Sequence, residues 1–492
     1  MAPQPEFRVL DTENVLITSP TPDGDGEGDG APTVACAVPL TFFDVKWLHL
    51  PPVERVLLYR LPDDADADAI LSNLKASLSH ALRAFYPLAG RVRLAAPAVG
   101  RTTDVVVRHE LFYQPGDGVQ FTTAEYDADV DDLASDEVRV AAVAPLAPPL
   151  PEGNAVLAVQ VTILRRGVAV GVTIHHSACD GRSSTHFLHT WASAAAACAA
   201  AADGGGDKRL PAAKVIDDDP PVIDVDRTLV PDPRGLYDTY LNCMPPIARS
   251  PELEFVRSKQ PPAADVAVAT FTLSAEALQS VRSAVAREAA RRGHALSPRC
   301  SPLVAAYGLM WWCHCHAVKR SSSNSSSKYY FLFSVDQRAR FKPAPLPDRY
   351  FGNCMCPAIA TAARDEMIAG EDDVAGGLYA ACAAVAAAIE EEVGEGAQEE
   401  RWDGCVARVK HAVANGTLSV AGSPRFRVYH LDFGFGRPIK VHMVSVAKAG
   451  AISVADARAG GRGLELGVSL PPDAMDRLRS CFAKAMDACL RQ

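Results

Sequence analysis

The sequence predicts an α/β protein with mixed sheets and flanking helices, built from two halves. Segments with the alternation of strands and segments with the spacing of helices are interspersed in both halves. The length of 492 residues suggests two or three domains. Between the halves, residues 203–262 are rich in Pro and Asp and show little periodicity, which is typical of a long crossover segment.

The first half contains a predicted helix, a strand pair and a second helix. Apolar residues recur at steps of three and four over Asp68–Tyr86, which predicts a helix. Strands are predicted over Ala155–Leu164 and Val168–His175, and a helix over Ser183–Ala202 follows a tight Asp-Gly turn. The second strand therefore delivers its last residues to a helix start, where functional sites are common.

The second half is predicted to begin with the strand Ala267–Leu273 and a helix from Ala275 to about Arg291. Ser274 is the predicted N-cap of that helix. Apolar runs predict further strands at Tyr329–Val335, Arg425–Phe433 and Ile439–Val446. Both halves are thus predicted to combine sheet and helix.

Composition excludes several classes of function. The chain has 49 basic and 59 acidic residues, a formal charge of -10, so it lacks the basic surface that nucleic-acid phosphates require. The longest uncharged apolar stretch, Val374–Ile389, is shorter than the roughly 18 residues that cross a membrane. The first residues lack the pattern of a secretory signal. We expect a cytoplasmic protein that binds neither nucleic acid nor membrane.

The cysteines do not predict a metal site or a disulfide framework. There are 13 of them, scattered and without a CxxC pair. The most metal-like cluster, Cys313–His316, lies in a segment predicted to be helical, where residues two apart point to different faces. We therefore predict no metal site.

His176 is the clearest catalytic candidate, because a neutral imidazole is the usual general base near pH 7. Asp180 either orients it or anchors the turn by pairing elsewhere, and Gly181 permits a left-handed backbone that bends the chain sharply. His175 faces the opposite side of the strand, which indicates a structural residue. Cys179 could act as an acylated nucleophile, but we favour a small buried side chain.

Two further motifs are YFGNC at 350–354 and DFGFG at 432–436. DFG alone suggests a protein kinase, but the sequence has no glycine-rich phosphate loop, VAIK lysine or HRD loop before it. It also has no GxSxG elbow and no P-loop. The kinase and serine-hydrolase classes are therefore excluded.

HHSACDG at 175–181 followed by DFGFG, roughly 250 residues later, resembles the plant BAHD acyltransferase family. The N-terminal half extends the resemblance to nearly the whole chain, through the segments PLTFFD at 39–44, PPVER at 51–55 and FYPLAG at 85–90. YFGNC and the segment GSPRF at 422–426 resemble the branch of malonyltransferases that act on flavonoid and phenolic glucosides.

The resemblance implies a chloramphenicol acetyltransferase-like fold of two similar-sized α/β domains. They would span residues 1–202 and 263–492, with 203–262 as the crossover and an active-site channel at the interface. Acyl-CoA, here malonyl-CoA, would be the co-substrate, and a glycosylated phenolic compound the acceptor. No tightly bound cofactor, no metal and a monomeric state are expected.

The resemblance also implies roles for individual residues. His176 would be the general base, and the structural residues would be Asp180, Gly181, Arg338, Asp432, Gly434 and Gly436. The residues expected to bind the acyl donor are Arg182, Asn353 and Ser423. Asp180 would pair with Arg338, or with the alternative Arg340. Candidates for contacting the CoA phosphates are Arg257 and Lys259.

Arg182 would hold the malonyl carboxylate through two charge-assisted hydrogen bonds. The alternative without a function is an exposed Arg in the first turn of a helix. Phe435 departs from the family pattern, which has Trp there, so this side chain has no indole N–H to donate to an oxyanion.

Three functional alternatives stay open: another acyl-CoA donor (acetyl, hydroxycinnamoyl or benzoyl) with an alcohol or amine acceptor, a non-catalytic binding protein with the same fold, and a thioesterase.

Overall fold

The computed structural model describes residues 6–17, 32–95, 108–203, 223–245, 266–293, 300–318, 327–368, 373–394 and 402–490. The chain divides into two compact units, each assembled from three stretches of sequence. The first comprises Met1–Pro261, Phe341–Cys354 and Phe426–Ser445. The second comprises Pro262–Arg340, Met355–Arg425 and Val446–Gln492.

This division differs from the predicted domains at two places. Residues 341–354 and 426–445, which carry YFGNC and DFGFG, lie within the predicted C-terminal domain, whereas in the structure they belong to the first unit. The reason is long-range pairing, because residues 440–443 form an antiparallel edge with residues 55–58. The crossover also differs, since residues 223–245 of it pack within the first unit.

The β-strands of the described residues, numbered in chain order, are β1 Phe7–Leu16, β2 Cys36–Pro39, β3 Val53–Arg60, β4 Arg91–Leu94, β5 His109–Tyr113, β6 Gly118–Asp129, β7 Glu137–Arg139, β8 Leu157–Arg165, β9 Gly167–Ile174, β10 Ala267–Leu273, β11 Lys328–Asp336, β12 Met355–Ala363, β13 Leu418–Gly422, β14 Lys440–Met443, β15 Ile452–Asp456 and β16 Leu464–Leu470.

The α-helices of the described residues, numbered likewise, are α1 Phe42–Val45, α2 Ala67–Ala84, α3 Val130–Leu133, α4 Val140–Val143, α5 Gly181–Asp203, α6 Leu236–Asn242, α7 Ala275–Arg291, α8 Pro302–Ala317, α9 Arg364–Met367, α10 Val374–Val393, α11 Cys405–Ala414, α12 Val444–Lys448 and α13 Pro472–Leu490.

The first unit is built on a six-stranded sheet with the order β1-β6-β8-β9-β3-β14. β6 and β8 run parallel, and the other neighbours are antiparallel. One face packs on a cluster of buried apolar side chains that includes Val56, Leu58 and Leu146. A separate antiparallel sheet has the order β2-β5-β4. The central strands β8, β9 and β3 are nearly all buried, as expected of strands covered on both faces.

The second unit contains six neighbouring strands in the order β12-β11-β13-β15-β16-β10. Strand β11 shows why this sheet forms, because Tyr329, Phe331 and Phe333 alternate as buried residues along it. They pack in a core with Trp311 and Trp312 of α8. The sheet is mixed, with β13 parallel to both β11 and β15.

Helix α10 is the one helix among the described residues that is long and apolar enough to cross a membrane. It has 20 residues, because the helix continues through the Glu residues that follow the apolar stretch, so the helix is longer than the stretch itself. Within its most apolar window, 56% is buried inside the protein. Its apolar side chains belong to the core of the second unit, which accounts for its composition.

Most predicted elements are confirmed. Strand β10 and helix α7 have the predicted bounds, and the Ser274 side chain accepts a hydrogen bond from the Ala277 N–H as an N-cap does. The strand predicted over Arg425–Phe433 is wrong. Arg427 adopts a left-handed conformation with φ 49°, and short 3₁₀ turns occupy 424–426 and 428–430. The last predicted strand is shorter than expected, because α12 begins at Val444.

Candidate active site

His176 lies just after the end of β9, as the sequence predicts. The His175 N–H donates to the Val156 carbonyl at 2.9 Å, and the Ala178 N–H donates to the His175 carbonyl at 3.0 Å. These bonds close a tight turn directly behind the strand. Helix α5 begins at Gly181, so the turn carrying His176 joins a buried strand to a helix start.

Two side chains hold the His176 imidazole. Its Nδ1 lies 3.1 Å from Asn353 Oδ1. Its ring stacks on Trp47, with centroids 3.7 Å apart and planes inclined by 5°. Nothing in the described part of the chain forms a hydrogen bond with Nε2, and the residue is only partly buried. Nε2 is therefore the ring nitrogen that a substrate can reach.

Burial lowers the pKa of His176 below its usual value. A hydrogen bond with its own backbone, the charge of Asp180 and the hydrogen bond to Asn353 act in the opposite direction, while the charge of Lys46 adds to the lowering. The imidazole is therefore neutral at neutral pH, which is the protonation state that a general base requires.

Asn353 lies behind His176 and is 0% exposed. Its Nδ2 donates to the His176 backbone carbonyl at 2.8 Å and to Asp44 Oδ1 at 2.9 Å. Its backbone N–H also donates to Asp44 Oδ1, at 2.8 Å. We predicted that Asn353 binds the acyl donor, but its side-chain amide is already engaged with the protein on both sides. The structure places it as a support for His176.

Asp44 was not among the predicted site residues. Its carboxylate is 0% exposed, and Oδ2 accepts hydrogen bonds from the Thr41 N–H at 2.9 Å and the Thr41 hydroxyl at 2.7 Å. The Thr-x-x-Asp spacing is a capping-box signature that could have identified the start of α1. Nothing in the sequence indicates its contact with Asn353, because 309 residues separate the two.

Asp180 has a structural role in the loop after His176. Its Oδ1 accepts from the Ser183 N–H at 3.0 Å, which caps α5, and its Oδ2 accepts from the Cys354 N–H at 3.1 Å. The Asp180 N–H donates to the Gly352 carbonyl at 3.3 Å. Asp180 therefore connects the YFGNC segment to the start of α5 by hydrogen bonds.

Gly181 is required for a reason other than the predicted one. It is not among the residues with positive φ. A Cβ at this position would lie 2.7 Å from two ring carbons of Phe426. The glycine thus permits close packing and not a left-handed bend.

Arg338 belongs to the second unit, where it is 1% exposed and donates to Asp336 Oδ1 at 3.3 Å. Its pairing with Asp180 stays a prediction. The alternative partner, Arg340, donates to the Asp336 carbonyl at 3.4 Å.

The DFGFG segment forms a compact loop around Asp432. Oδ1 of Asp432 accepts from the N–H groups of Gly434 and Gly436, at 2.8 and 2.9 Å. Gly434 has φ 100°, and a Cβ there would lie 2.8 Å from Ala199 of α5. Phe435 packs edge-on against Tyr59 with ring centroids 5.0 Å apart. These contacts are those of an architectural loop, the role that the resemblance implies.

The remaining predicted donor-binding residues lie at different places. Arg182 is 43% exposed and forms an ion pair with Asp348 at 3.0 Å. Ser423 lies in the second unit, where its hydroxyl accepts from the Arg425 N–H at 3.2 Å. The two CoA-phosphate candidates, Arg257 and Lys259, lie outside the described residues.

Trp47 and Arg227 are two further residues that the sequence did not single out. Trp47 follows the PLTFFD segment and stacks on His176. Arg227 lies in the described part of the crossover and donates to the backbone carbonyls of Phe351 at 2.5 Å and Pro39 at 3.1 Å. Arg227 thereby anchors the crossover beside the loop that carries Asn353.

No group of three or more His, Cys, Asp or Glu side chains in the described ranges is placed to hold a metal ion. Cys313–His316 lie in α8, which confirms the predicted helix. Cys179 is 3% exposed, as expected of a small buried side chain.

Residues 31–484 match the model of the Transferase family. Over 92% of the chain, the sequence is 30% identical to an Arabidopsis thaliana malonyl-CoA:anthocyanidin 5-O-glucoside-6''-O-malonyltransferase, of which it covers 94%. It is 32% identical, again over 92% of the chain, to phenolic glucoside malonyltransferase 1 of Arabidopsis thaliana, of which it covers 93%.

The chain belongs to the BAHD acyltransferase family.

Solved structures show the same fold. Vinorine synthase matches with a TM-score of 0.62 at 19% identity, over 96% of both chains. F. graminearum TRI101 complexed with coenzyme A and deoxynivalenol matches with a TM-score of 0.57 at 16% identity, over 90% of this chain and 97% of that one. The chain is thus a two-domain α/β BAHD enzyme, an acyl-CoA-dependent acyltransferase.

Proposed function

We propose that this enzyme transfers a malonyl group from malonyl-CoA to a sugar hydroxyl of a phenolic or flavonoid glucoside. The observation that carries the proposal is the open Nε2 of His176, with the cation of Arg182 on the helix that begins directly after the same loop, at the start of α5. The two Arabidopsis relatives, whose names specify malonyl transfer to glucosides, support it.

The proposed reaction is direct transfer. His176 Nε2 removes the proton from the acceptor hydroxyl as its oxygen attacks the thioester carbonyl carbon. The tetrahedral intermediate then breaks its C–S bond, and the CoA thiolate takes the proton back from the imidazolium. The thioester is already activated, so the base is the protein's main chemical contribution. Phe435 lacks an N–H, so stabilisation of the oxyanion falls to another donor.

Arg182 is the proposed recognition group for the malonyl carboxylate. Its present partner, Asp348, is 87% exposed, and exposed ion pairs contribute only about 0–1 kcal/mol. A carboxylate on the donor can therefore replace Asp348 at small cost. The guanidinium would then form two parallel charge-assisted hydrogen bonds with the malonyl group.

The test is an assay of malonyl-CoA against a panel of phenolic, flavonol and anthocyanin glucosides, with products identified by mass spectrometry. We expect a malonylated glucoside from at least one acceptor class. If the panel yields no malonylated product, while an acyl-CoA with an uncharged acyl group is used, malonyl-CoA is refuted as the donor.

Arg182→Ala tests the carboxylate clamp within the same assay. We expect malonyl transfer to fall while acetyl transfer is retained. Arg165→Ala is the matched control, because Arg165 is also an exposed Arg in an ion pair, with Asp127 at 2.7 Å. Equal losses with both donors would count against the clamp.

A second candidate is transfer from a donor whose acyl group is uncharged, such as acetyl-, hydroxycinnamoyl- or benzoyl-CoA. The ion pair with Asp348 favours it, because Arg182 is already neutralised without a donor carboxylate. This candidate predicts that Arg182→Ala changes the use of every donor to the same small extent.

We also propose that acyl-CoA acts as a co-substrate without a tightly bound cofactor, and that the enzyme works as a cytoplasmic monomer. Light scattering of the purified protein tests the monomeric state, and a fluorescent fusion tests the location.

A further inference from the structure

We propose that Asp44 and Asn353 are positioning residues that keep the proton of the neutral His176 imidazole on Nδ1, so that Nε2 is the nitrogen that acts as base. The inference rests on the proposed role of His176 in acyl transfer. It explains how the reactive tautomer is maintained, by two residues that do not touch substrate.

Two groups that can only accept hydrogen bonds face the side-chain amide of Asn353. Asp44 Oδ1 and the His176 backbone carbonyl both face the same amide nitrogen of Asn353, at 2.9 and 2.8 Å. A carboxylate and a carbonyl oxygen accept hydrogen bonds, so the group facing them is the NH₂ of Asn353. This fixes the orientation of the amide.

With the NH₂ turned toward Asp44, the other end of the amide faces His176. Asn353 Oδ1 lies 3.1 Å from His176 Nδ1 and can only accept. The hydrogen of the bond therefore belongs to Nδ1. A neutral imidazole carries one N–H, so Nε2 keeps its lone pair.

Because the site is buried, reversing the orientation of the Asn353 amide costs free energy. Asp44 and Asn353 are both 0% exposed, so water cannot replace a lost bond. A flipped amide would turn its oxygen toward Asp44 Oδ1 and the His176 carbonyl, which loses two donated hydrogen bonds and opposes acceptor to acceptor. Asp44 is itself held by Thr41 through two bonds to Oδ2.

Apart from Asn353 and the backbone of His176 itself, the groups around the ring in the described part of the chain do not select between its two nitrogens by hydrogen bonding. Trp47 presents the face of its ring. Asp180 acts on His176 through its charge, while its oxygens accept from the N–H groups of Ser183 and Cys354. Lys46 also acts through charge. The amide of Asn353 is the side-chain contact that distinguishes Nδ1 from Nε2.

The direct test is ¹⁵N NMR of the full-length protein, labelled at histidine, with the His176 signals assigned by their loss in His176→Gln. At neutral pH without substrate we expect a protonated, pyrrole-type Nδ1 and an unprotonated Nε2. A protonated Nε2 in the wild type would overturn the proposal. This measurement needs no variant of Asp44 or Asn353 to fold.

Two pairs of variants locate the cause. Asn353→Ala should give a mixture of tautomers, whereas Asn14→Ala, at an exposed Asn on β1, should leave the spectrum unchanged. Asp44→Ala should also give a mixture, because Asn353 is then free to turn over. Asp44→Asn should keep the wild-type tautomer, since its amide oxygen can still accept from Asn353. A single Nδ1-protonated species in Asn353→Ala would contradict the proposal.

Kinetics separate this proposal from the proposed function. We expect Asn353→Ala to lower kcat about 10- to 100-fold while KM for acyl-CoA stays within about twofold, because orientation is lost and binding is not. Wild-type kcat in Asn353→Ala refutes the positioning role and leaves the proposed reaction intact. Wild-type kcat in His176→Ala refutes the reaction itself.

Discussion

His175 and His176 are adjacent in sequence, yet the two faces at the end of β9 give them opposite environments. His175 is 0% exposed, and burial lowers its pKa to about 3. The Ser177 N–H donates to its Nδ1 at 3.3 Å, so the hydrogen of the neutral ring lies on Nε2. His176 is only partly buried, and its Nδ1 faces the oxygen of Asn353, so its hydrogen lies on Nδ1.

The difference shows what makes one of the two imidazoles a usable base. The alternation of a strand decides which face each ring occupies. The partner at Nδ1 then decides which nitrogen keeps the lone pair. His175 is a neutral structural residue, and His176 offers a lone pair to the outside.

The largest effect is expected for His176→Ala. General base catalysis contributes typically about 10²–10⁴-fold, so kcat should fall by that factor while acyl-CoA still binds. Turnover with saturating acyl-CoA and acceptor measures it, and isothermal titration with the acyl-CoA checks binding. Retention of most of the turnover would remove His176 as the base.

His175→Gln is expected to change the pH dependence of stability and not the reaction. The folded-state pKa of His175 is about 3 against an ordinary value of 6.5, so between these pH values the unfolded chain binds a proton that the folded protein does not. Its contribution to stability is present above pH 6.5 and is lost as the pH falls toward 3. The variant should therefore lose stability more slowly on acidification, by about 1.4 kcal/mol per pH unit.

Urea unfolding at several pH values between 4 and 8 measures this slope. Parallel pH profiles for the variant and the wild type would contradict the buried neutral state of His175. A fall in kcat at neutral pH as large as that of His176→Ala would contradict the division of roles.

Gly181→Ala is expected to disturb the loop that carries His176. The added Cβ would lie 2.7 Å from ring carbons of Phe426, so the ring or the start of α5 must move, at a cost of about 1–3 kcal/mol. Thermal unfolding and kcat measure the two consequences. Combining it with Phe426→Leu should recover part of both losses, and a double variant that is simply additive would refute the packing explanation.

The smallest effect is expected for Lys46→Ala. The positive charge of Lys46 contributes to lowering the pKa of His176, so its removal raises that pKa. The acid limb of the kcat/KM profile should move to higher pH, and Lys46→Arg, which keeps the charge, should leave the limb in place. Movement of the limb to lower pH in Lys46→Ala would contradict this assignment.

The sequence was sufficient to predict the local features of the site. The alternation of β9, the turn after His176 and the start of α5 depend on neighbouring residues, and all three are found in the structure. Periodicity predicted the α/β class and the two halves, whereas the family resemblance supplied the particular two-domain fold and the class of reaction.

Contacts between residues far apart in the chain could not be predicted from the sequence. Asp44 reaches Asn353 across 309 positions, so nothing local marks either as a support for His176. The same limit explains why the compact units differ from the predicted domains, because β14 pairs with β3 at the edge of a sheet formed mostly by the first half of the chain. The false strand before DFGFG had apolar alternation but not the extended backbone, which Arg427 interrupts.

Thiol release from malonyl-CoA, followed in a single turnover with and without a phenolic glucoside, shows whether His176 assists direct transfer to the acceptor. Direct transfer assisted by His176 predicts that CoA thiol appears only when the acceptor is present, in an amount equal to the malonylated product. A burst of thiol without acceptor would indicate an acyl-enzyme or a thioesterase and would contradict the account.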